Sequence, residues 1–462
     1  MVMVYNKQIE EFKDLDGMAK KLIRSATQRM FRLGGLAGRV GVSMASNTMA
    51  NLFREAERKD EYRLDNLLKN ARRVTDQLGQ LKGVPMKIGQ MVSLHDNLFP
   101  REVVQIFKSL QKQAPSVPFS EMRALIREEM GPAYKEIRQI DKTPLASASI
   151  GQVHRAELKD GREIALKVQY PGIDEVIRSD LKYLKGILKS VFSMFTRMDM
   201  EEIWQELNAR LLEELDYENE AANMRRMAAF YQDDERVIIP EVVDEMTSRH
   251  VLGMELVQGI ASDSAMSGGY DKQLRSAWGV SLLSFVLRGL FEFQFLHADP
   301  NMANFSFLEN GGIVVYDFGC MKEVPAALCN GYVQLITAVL NHEYPRIPEI
   351  LKSMGVYKAS GEKISWEMAK DFADVFQEIF ATRDHFTFGE DDDIYTRLIS
   401  LGHKYINESM SFIFPKDVIF IDRTFSGHFG NLCHLNAQAD WRALLIEHLE
   451  TAGYEIKSQL DQ

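Results

Sequence analysis

The spacing of apolar and polar residues divides the chain into a helical first part, a short part rich in strands and a longer helical part. Alternating apolar positions predict two strands, at 149–158 and 163–168. Asp160-Gly161, between them, is typical of a hairpin turn. Shorter apolar runs predict further strands at 237–243, 251–256 and within 305–316.

Helical periodicity covers the beginning of the chain, residues 174–230, and most of the chain after about residue 272. The order of these elements predicts an α+β fold in three parts. These parts are a helical N-terminal extension (1–115), a small lobe that contains the sheet (116–257) and a larger helical lobe (258–462).

The composition is typical of a soluble globular protein, with 45% hydrophobic and 26% charged residues. A chain of 462 residues is long enough to bury the cores of two lobes. The net charge of −11 argues against a nucleic-acid-binding face, so we expect no nucleic-acid partner. The three cysteines lack the spacing of a metal site, and we expect a reducing compartment without disulfides.

The hydropathy pattern predicts a cytoplasmic protein that is not integral to a membrane. The longest apolar stretch, 282–296, is interrupted by Arg288 and Glu292, and no uncharged run reaches the ~18 residues of a spanning helix. Residues 18–44 form a basic amphipathic region in an otherwise acidic protein. Two interpretations fit this region: a helix lying on an anionic membrane surface, which would make the protein peripheral, or a helix packed on the protein body.

The residues with the clearest chemistry are Asp299 and Asn304, followed by Asp317-Phe318-Gly319. Asp299 and Asn304 are five residues apart, as in the kinase catalytic loop, and a short apolar run separates Asn304 from Asp317. Kinase-like phosphoryl transfer needs a carboxylate near the attacking hydroxyl, and an Asn and an Asp on the metal ions. The two linked motifs therefore predict a phosphoryl-transfer site.

Residues that would contact a nucleotide are predicted from the strands of the small lobe. Lys167, in the second hairpin strand, has the place of the kinase Lys that contacts the α- and β-phosphates. The segment before the first hairpin strand has the place of a glycine-rich loop, but alanine and serine cannot adopt the positive φ open to glycine. The backbone of Glu255 and Val257, in the linker between the lobes, would hydrogen-bond an adenine. The predicted loop contacts are Ala146, Ser147, Ala148, Ser149 and Gly151.

In kinases, a glutamate on a following helix orients this Lys. The acidic segment 213–220 contains four glutamates that could take this role. Glu213, Asp216 and Glu220 would share one face of a continuous helix, because they are three and four residues apart. Spacing does not choose among these candidates, and a solvated acidic face fits the same pattern.

Together, the motifs resemble the UbiB family of atypical kinases, the aarF-domain-containing (ADCK, coenzyme Q8-like) proteins. Lys87-Ile88-Gly89-Gln90 resembles the Lys-x-Gly-Gln motif of the family, and Glu214-Leu215-Asp216 resembles its Glu-x-Asp motif. The other matching segments are 32–38, the alanine-rich loop at 146–154, Glu220, 297–304 and 316–319. The resemblance spans residues 25–440 and implies a bilobal fold like that of protein kinases.

The resemblance also implies a role for each motif residue. Lys167 would pair with Glu220, Asp299 would be the catalytic base, and Asn304 and Asp317 would bind Mg²⁺. Ligands would be ATP or ADP. The family's Lys-x-Gly-Gln segment covers the active site, which places regulatory residues at Lys87, Gly89, Gln90, Glu214 and Asp216, with Lys87 near the two carboxylates.

Three functions are compatible with these observations. The first is a Mg²⁺-dependent ATPase or kinase that acts on a small or lipid-like acceptor in isoprenoid-quinone or lipid metabolism, with quinone-biosynthesis proteins as partners. The second is a nucleotide-binding scaffold that regulates a biosynthetic complex or membrane docking. The third, a soluble antibiotic or sugar phosphotransferase, does not account for Lys87-Ile88-Gly89-Gln90 or for the long N-terminal extension.

Overall fold

A computed structural model describes residues 117–148, 150–175, 200–380, 385–389 and 412–456, with isolated positions at 177–185 and 397–405. Residues 1–116, which include the predicted membrane-contacting region and Lys87, Gly89 and Gln90, lie outside the described residues, as does Ser149. The chain divides into two compact units. Unit 1 comprises residues up to Asn219 and Val242–Leu256, and unit 2 comprises Glu220–Glu241 and Val257–Gln462.

The described α-helices and strands are numbered in chain order. The helices are α1 (Phe119–Met130), α2 (Met200–Glu213), α3 (Tyr217–Phe230), α4 (Ser262–Met266), α5 (Lys272–Leu287), α6 (Ala326–Leu340), α7 (Ile347–Ser353), α8 (Trp366–Phe380), α9 (Lys416–Leu435) and α10 (Trp441–Thr451). The strands are β1 (Ile137–Ile140), β2 (Ala146–Ser147), β3 (Gly151–Leu158), β4 (Glu163–Gln169), β5 (Val237–Ile238), β6 (Val251–Glu255), β7 (Ile260–Ala261), β8 (Phe295–His297), β9 (Phe305–Phe307), β10 (Ile313–Val315), β11 (Met321–Glu323), β12 (Tyr357–Lys358), β13 (Phe386–Thr387), β14 (Phe412–Ile413) and β15 (Gln438–Ala439).

Unit 1 is built on an antiparallel sheet of order β1-β3-β4-β6, with β2 paired to β3. Strands β3 and β4 form the predicted hairpin, and Gly161 in its turn has φ +90°. Because β4 lies between two strands, nearly all of its side chains are buried. Helix α1 contacts β4 and buries Met122, Ile126 and Met130, which recur every four residues along one helical face.

Unit 2 contains a small sheet of order β5-β10-β9-β7 and a separate pair, β8-β11. Its central helix, α5, is capped at its N-terminus by Asp271, whose side chain accepts a hydrogen bond from Leu274 N at 2.8 Å. Trp278 Nε1 donates to Leu308 O at 2.7 Å and Ser281 Oγ donates to Gly311 O at 2.8 Å. These two bonds attach the β9-β10 hairpin to α5. Helix α5 also contacts α9 and α10.

Helix α5 and the π-helical turn after it form the Lys272–Glu292 stretch, which alone in the described part of the chain is long and apolar enough to cross a membrane. Within it, 67% of the apolar window is buried inside the protein. Arg288 hydrogen-bonds Glu292 at 2.9 Å and Asp234 at 2.8 Å. The charges that interrupt the apolar run are thus paired within the fold, as in a core helix.

The helix predicted over 213–220 is not continuous. Helix α2 ends at Glu213, residues 214–216 form a turn, and α3 begins at Tyr217. Asp216 Oδ1 accepts a hydrogen bond from Asn219 N at 3.0 Å, so Asp216 acts as the N-cap of α3. The prediction that Glu213, Asp216 and Glu220 share one helical face is therefore wrong, because a capping residue restarts the helix between them.

Candidate functional site

Backbone hydrogen bonds in unit 2 place the two predicted catalytic motifs side by side. Tyr316 N donates to Asn304 O at 3.0 Å, where β9 and β10 pair. Ala298 N donates to Cys320 O at 2.9 Å, next to the pairing of β8 with β11. Asp317 lies between these two attachments. Strand pairing thus brings together segments that are separated along the chain.

His297 holds the backbone of the second motif. Its Nε2 lies 2.7 Å from Asp317 O, and the ring is buried. A carbonyl oxygen only accepts hydrogen bonds, so Nε2 carries the proton. The carboxylate of Asp317 is itself oriented by Gly319 N, which donates to Asp317 Oδ1 at 3.1 Å. These two hydrogen bonds within unit 2 therefore support both the position and the orientation of Asp317.

The first motif is held by bonds within its own loop. Asn301 N donates to Asp299 Oδ1 at 3.2 Å, and Asn304 Nδ2 lies 3.5 Å from Asp299 O. The Nδ2 end of the Asn304 side chain thus points to this carbonyl, and Oδ1 is the end that can act as an acceptor or a metal ligand.

The donor set of this region fits a Mg²⁺ ion. Asp317 contributes carboxylate oxygen and Asn304 contributes amide oxygen, and both are hard ligands of the kind that Mg²⁺ prefers. Across the described residues, no group of three or more His, Cys, Asp or Glu side chains could hold a metal ion. Mg²⁺ in nucleotide sites is held by only one or two carboxylates together with phosphate oxygens and water, so two protein ligands are sufficient.

Glu220, on α3, contacts the backbone of the second motif. Its side chain is 2% exposed, and its Oε1 accepts a hydrogen bond from Phe318 N at 3.3 Å. Asn223, three residues further along α3, donates from Nδ2 to Phe318 O at 3.1 Å. Both backbone groups of the buried Phe318 are thus bound by neighbouring side chains of one helix. Sequence reasoning missed Asn223, and its i+3 spacing from Glu220 is the signal that could have found it.

In unit 1, Lys167 is on the central strand β4 between Val153 of β3 and Leu252 of β6. Its side chain is 7% exposed, and Nζ lies 5.1 Å from the centre of the Tyr217 ring. A buried ammonium is unfavourable without compensating interactions, and an aromatic face supplies part of that compensation. This environment differs from that of a solvated strand Lys.

The alanine-rich loop is a tight connection between β2 and β3. Ala146 and Ser147 form β2, and Ala148 N donates to Gly151 O at 2.9 Å. A Cβ atom at Gly151 would lie 2.2 Å from Val168 O, so the close approach of β4 requires glycine there. Glu214 lies in the turn before α3, next to the capping Asp216.

The predicted linker residues belong to different units, Glu255 to unit 1 and Val257 to unit 2. Glu255 is an exposed residue at the end of β6. Val257 O accepts a hydrogen bond from Tyr316 Oη at 3.0 Å, and Tyr316 Oη also lies 2.6 Å from Ser306 Oγ. A side chain at Gly259 would meet Ser306 Oγ at 2.2 Å. Tyr316, the residue just before Asp317, therefore holds the start of unit 2 through its hydrogen bond to Val257 O.

If Val257 binds the adenine as predicted, Tyr316→Phe should weaken nucleotide binding by roughly 2- to 10-fold, because the hydrogen bond that positions Val257 is lost together with the one to Ser306 Oγ. Isothermal titration with ATP and with ADP measures this change. Tyr231→Phe is the control, since it removes another tyrosine-to-carbonyl bond of unit 2, from Tyr231 Oη to Phe285 O at 3.2 Å. Equal affinities in the two variants would contradict the role assigned to Tyr316.

Helix α9 places a second histidine close to the first motif. His428 is fully buried, and neither ring nitrogen has a hydrogen-bond partner among the described residues. Burial lowers the pKa of His428 to about 3; nearby His297 lowers it as well, and Asp299 raises it. His428 is therefore neutral near pH 7 and adds no positive charge beside Asp299.

His428 makes stability depend on pH. Its pKa in the folded protein is below the ordinary 6.5, so the unfolded chain binds the proton first. The contribution is complete above about pH 6.5 and is lost as the pH falls toward about 3. We expect His428→Leu to reduce the slope of unfolding free energy against pH in this window by up to about 1.4 kcal/mol per pH unit. Urea unfolding at a series of pH values measures the slope, and parallel curves for the two proteins would contradict the assignment.

One protein-family model and several known proteins are similar to this chain in sequence. The model of the ABC1 atypical kinase-like domain matches residues 109–351. The atypical kinase COQ8B, mitochondrial, of Danio rerio is 31% identical over 376 residues, which are 80% of this chain and 60% of that protein. The Rattus norvegicus COQ8B is 30% identical over 374 residues, 80% of this chain and 70% of that protein. This chain therefore spans less than two thirds of the length of the first of these relatives.

A solved structure has a similar fold. The complex of Rv3197 with erythromycin, from Mycobacterium tuberculosis, superposes with a TM-score of 0.61 and 27% sequence identity. The match covers 85% of this chain and 98% of that one.

Proposed function

Because this chain belongs to the family of ABC1 atypical kinases, which includes the UbiB and ADCK proteins, we propose that it binds ATP with Mg²⁺ and hydrolyses it or transfers its terminal phosphoryl group. Membership of this family and the α+β, kinase-like fold were both predicted from the motifs, and both are confirmed. The activity is supported chiefly by one observation: strand pairing in unit 2 sets Asp317 beside the loop that carries Asp299 and Asn304.

The proposed roles in unit 2 follow from the chemistry of each side chain. Asn304 and Asp317 hold Mg²⁺, which neutralises charge on the phosphates when bound. Asp299 accepts the proton of the attacking hydroxyl or water and orients it. His297 donates a hydrogen bond to the backbone of Asp317, and Glu220 accepts one from Phe318 N, so both support the position of the metal-binding carboxylate.

The proposed roles in unit 1 rest on the family resemblance and on local burial. Lys167 contacts the α- and β-phosphates, and its pairing with Glu220 remains a prediction of the resemblance. Glu255 and Val257 contact the adenine through their backbones. The loop at 146–151 packs against the phosphates, with Ala148 at the position that the family resemblance links to nucleotide preference.

The acceptor is proposed to be a small or lipid-like molecule. The family's Lys-x-Gly-Gln segment covers the active site, and the corresponding Lys87, Gly89 and Gln90 would occupy the groove that a protein substrate needs, with Lys87 near Glu214 and Asp216. Several relatives carry the COQ8 name, among them COQ8B of Danio rerio, COQ8B of Rattus norvegicus and COQ8 of Saccharomyces cerevisiae, which favours a place in ubiquinone biosynthesis and partners from that pathway. These relatives are named as mitochondrial, which favours association with an organelle; the cytoplasmic location and membrane attachment through residues 18–44 remain predictions.

The test is ATP turnover by the purified protein with and without Mg²⁺, each without liposomes, with neutral liposomes and with anionic liposomes. We expect turnover that requires Mg²⁺ and increases with the anionic liposomes but not with neutral ones. Tight ATP binding without turnover in every one of these conditions would overturn the enzymatic proposal and favour the nucleotide-binding scaffold.

A further inference from the structure

Helix α9 contacts the loop that carries Asp299 from a distant part of the sequence. Asn431 Nδ2 donates a hydrogen bond to Pro300 O at 2.8 Å across a separation of 131 residues. The Asn431 side chain is 7% exposed. A buried donor that loses its partner is costly, so this bond strongly favours one position of the loop.

The same face of α9 is shaped to fit Pro300. Gly427 is one helical turn before Asn431, so both are on one side of the helix. A Cβ atom at Gly427 would lie 2.3 Å from Pro300 Cγ and 2.6 Å from Pro300 Cβ. Only glycine allows the helix and the proline to approach this closely. His428, the next residue, places its ring 5.8 Å from the ring of Phe305, at the other end of the loop.

From these contacts we infer that Asn431 and Gly427 are positioning residues for Asp299. Proline has no backbone N–H, so the carbonyl that Asn431 binds is the one backbone hydrogen-bonding group of Pro300. Pro300 is bonded directly to Asp299, and any displacement of the proline moves the carboxylate. This inference rests on the proposed function, because Asp299 matters only if phosphoryl transfer takes place.

The decisive comparison uses two glycines of α9. Gly427→Ala places a methyl group against Pro300, whereas Gly430→Ala meets nothing within 4 Å. Both changes remove a helical glycine and favour the helix to a similar degree. We expect Gly427→Ala to lower kcat by about 10- to 100-fold, since displacements of about 1 Å have effects of this size. The affinity for MgATP should change by less than about twofold, because the adenine and the phosphates are bound by other residues. Gly430→Ala should change neither.

A second measurement does not depend on turnover. Hydrogen exchange of the peptide that covers residues 297–304 reports on the Asn301 N–H, which donates to Asp299 Oδ1, and on the Asn304 N–H, which donates to Asn301 O. We expect faster exchange in Gly427→Ala than in the wild type, and unchanged exchange in Gly430→Ala.

Asn431→Asp tests the hydrogen bond without a change of shape. An ionised carboxylate has no proton to donate to Pro300 O, whereas a protonated carboxyl group has one. The ratio of variant to wild-type kcat should therefore rise as the pH falls, a trend that simple loss of packing would not produce. This variant also keeps the inference testable if Gly427→Ala does not fold.

The outcomes separate the two proposals. If the wild type turns over ATP but Gly427→Ala and Gly430→Ala have equal kcat and equal exchange, the positioning role is overturned. If the wild type shows no turnover, the proposed function is overturned, and the exchange of 297–304 still decides whether α9 holds the loop.

Discussion

Asp317→Asn is expected to lower Mg²⁺-dependent ATP turnover by about a thousandfold. Removing a charged ligand weakens the binding of the metal ion. A bound metal ion contributes several kcal/mol to the stabilisation of the transition state of phosphoryl transfer. Because each 1.4 kcal/mol corresponds to about tenfold in rate, a loss of this size lowers the rate about a thousandfold. The fold should survive, because the amide oxygen of Asn can still accept the hydrogen bond that Gly319 N donates to Asp317 Oδ1. Turnover measured against Mg²⁺ concentration would show both the loss and any shift in the Mg²⁺ requirement.

Asp160→Asn is the matched control for this change. Asp160 Oδ1 also accepts a hydrogen bond from the backbone N–H two residues later, Arg162 N at 2.9 Å, but Asp160 is exposed in the hairpin turn of unit 1. The control therefore makes the same chemical change in a similar local geometry, away from the candidate site. If Asp317→Asn turns over ATP as fast as the control, Asp317 is not a ligand of the metal ion.

Lys167→Met is expected to weaken ATP binding by about 10- to 100-fold, because hydrogen bonds to charged groups contribute roughly 1.5–3 kcal/mol. Methionine keeps the unbranched apolar shape of the lysine side chain, so its packing against Tyr217 should be largely preserved. Turnover should fall further than binding, since the ammonium also stabilises charge that develops during transfer. Titration calorimetry with ATP and steady-state kinetics measure the two effects separately.

Lys358→Met provides an internal comparison. Lys358 is also a buried strand lysine, 9% exposed, with Nζ 6.0 Å from the ring of Phe412. Both variants remove a buried ammonium close to an aromatic ring, and both should change the unfolding temperature by similar amounts. Only Lys167→Met should alter nucleotide affinity. If both variants bind ATP equally well, Lys167 does not contact the phosphates.

The local parts of the candidate site could be predicted from the sequence because neighbouring strands determine them. The loop from Asp299 to Asn304 leads directly into β9, and the apolar run before Asp317 contains β10, so the pairing of these two strands aligns the two motifs. The β3-β4 hairpin was predicted for the same reason, from alternation and a turn signal. In both cases, the residues that determine the geometry are close together in the sequence.

Contacts between segments that are far apart in the sequence could not be predicted from it. Strands β8 and β11 have three residues each, too few for a periodic signal, and they form because they pair with each other. Asn431 and Gly427 belong to no motif, and their role depends on where α9 packs. The break between α2 and α3 after Glu213, in contrast, could have been predicted from the sequence, because Asp is a common N-cap residue and Asp216 caps α3.

The two bonds from α3 to Phe318 have a consequence for inhibitor discovery. In kinases, the packing of the phenylalanine of the Asp-Phe-Gly motif distinguishes active from inactive states, and a ligand could require this ring to move outward. In this protein such a rearrangement would break the bonds to Glu220 and Asn223 together and expose a buried ring. Ligands that require this rearrangement are therefore disfavoured by the cost of breaking both bonds and exposing the ring.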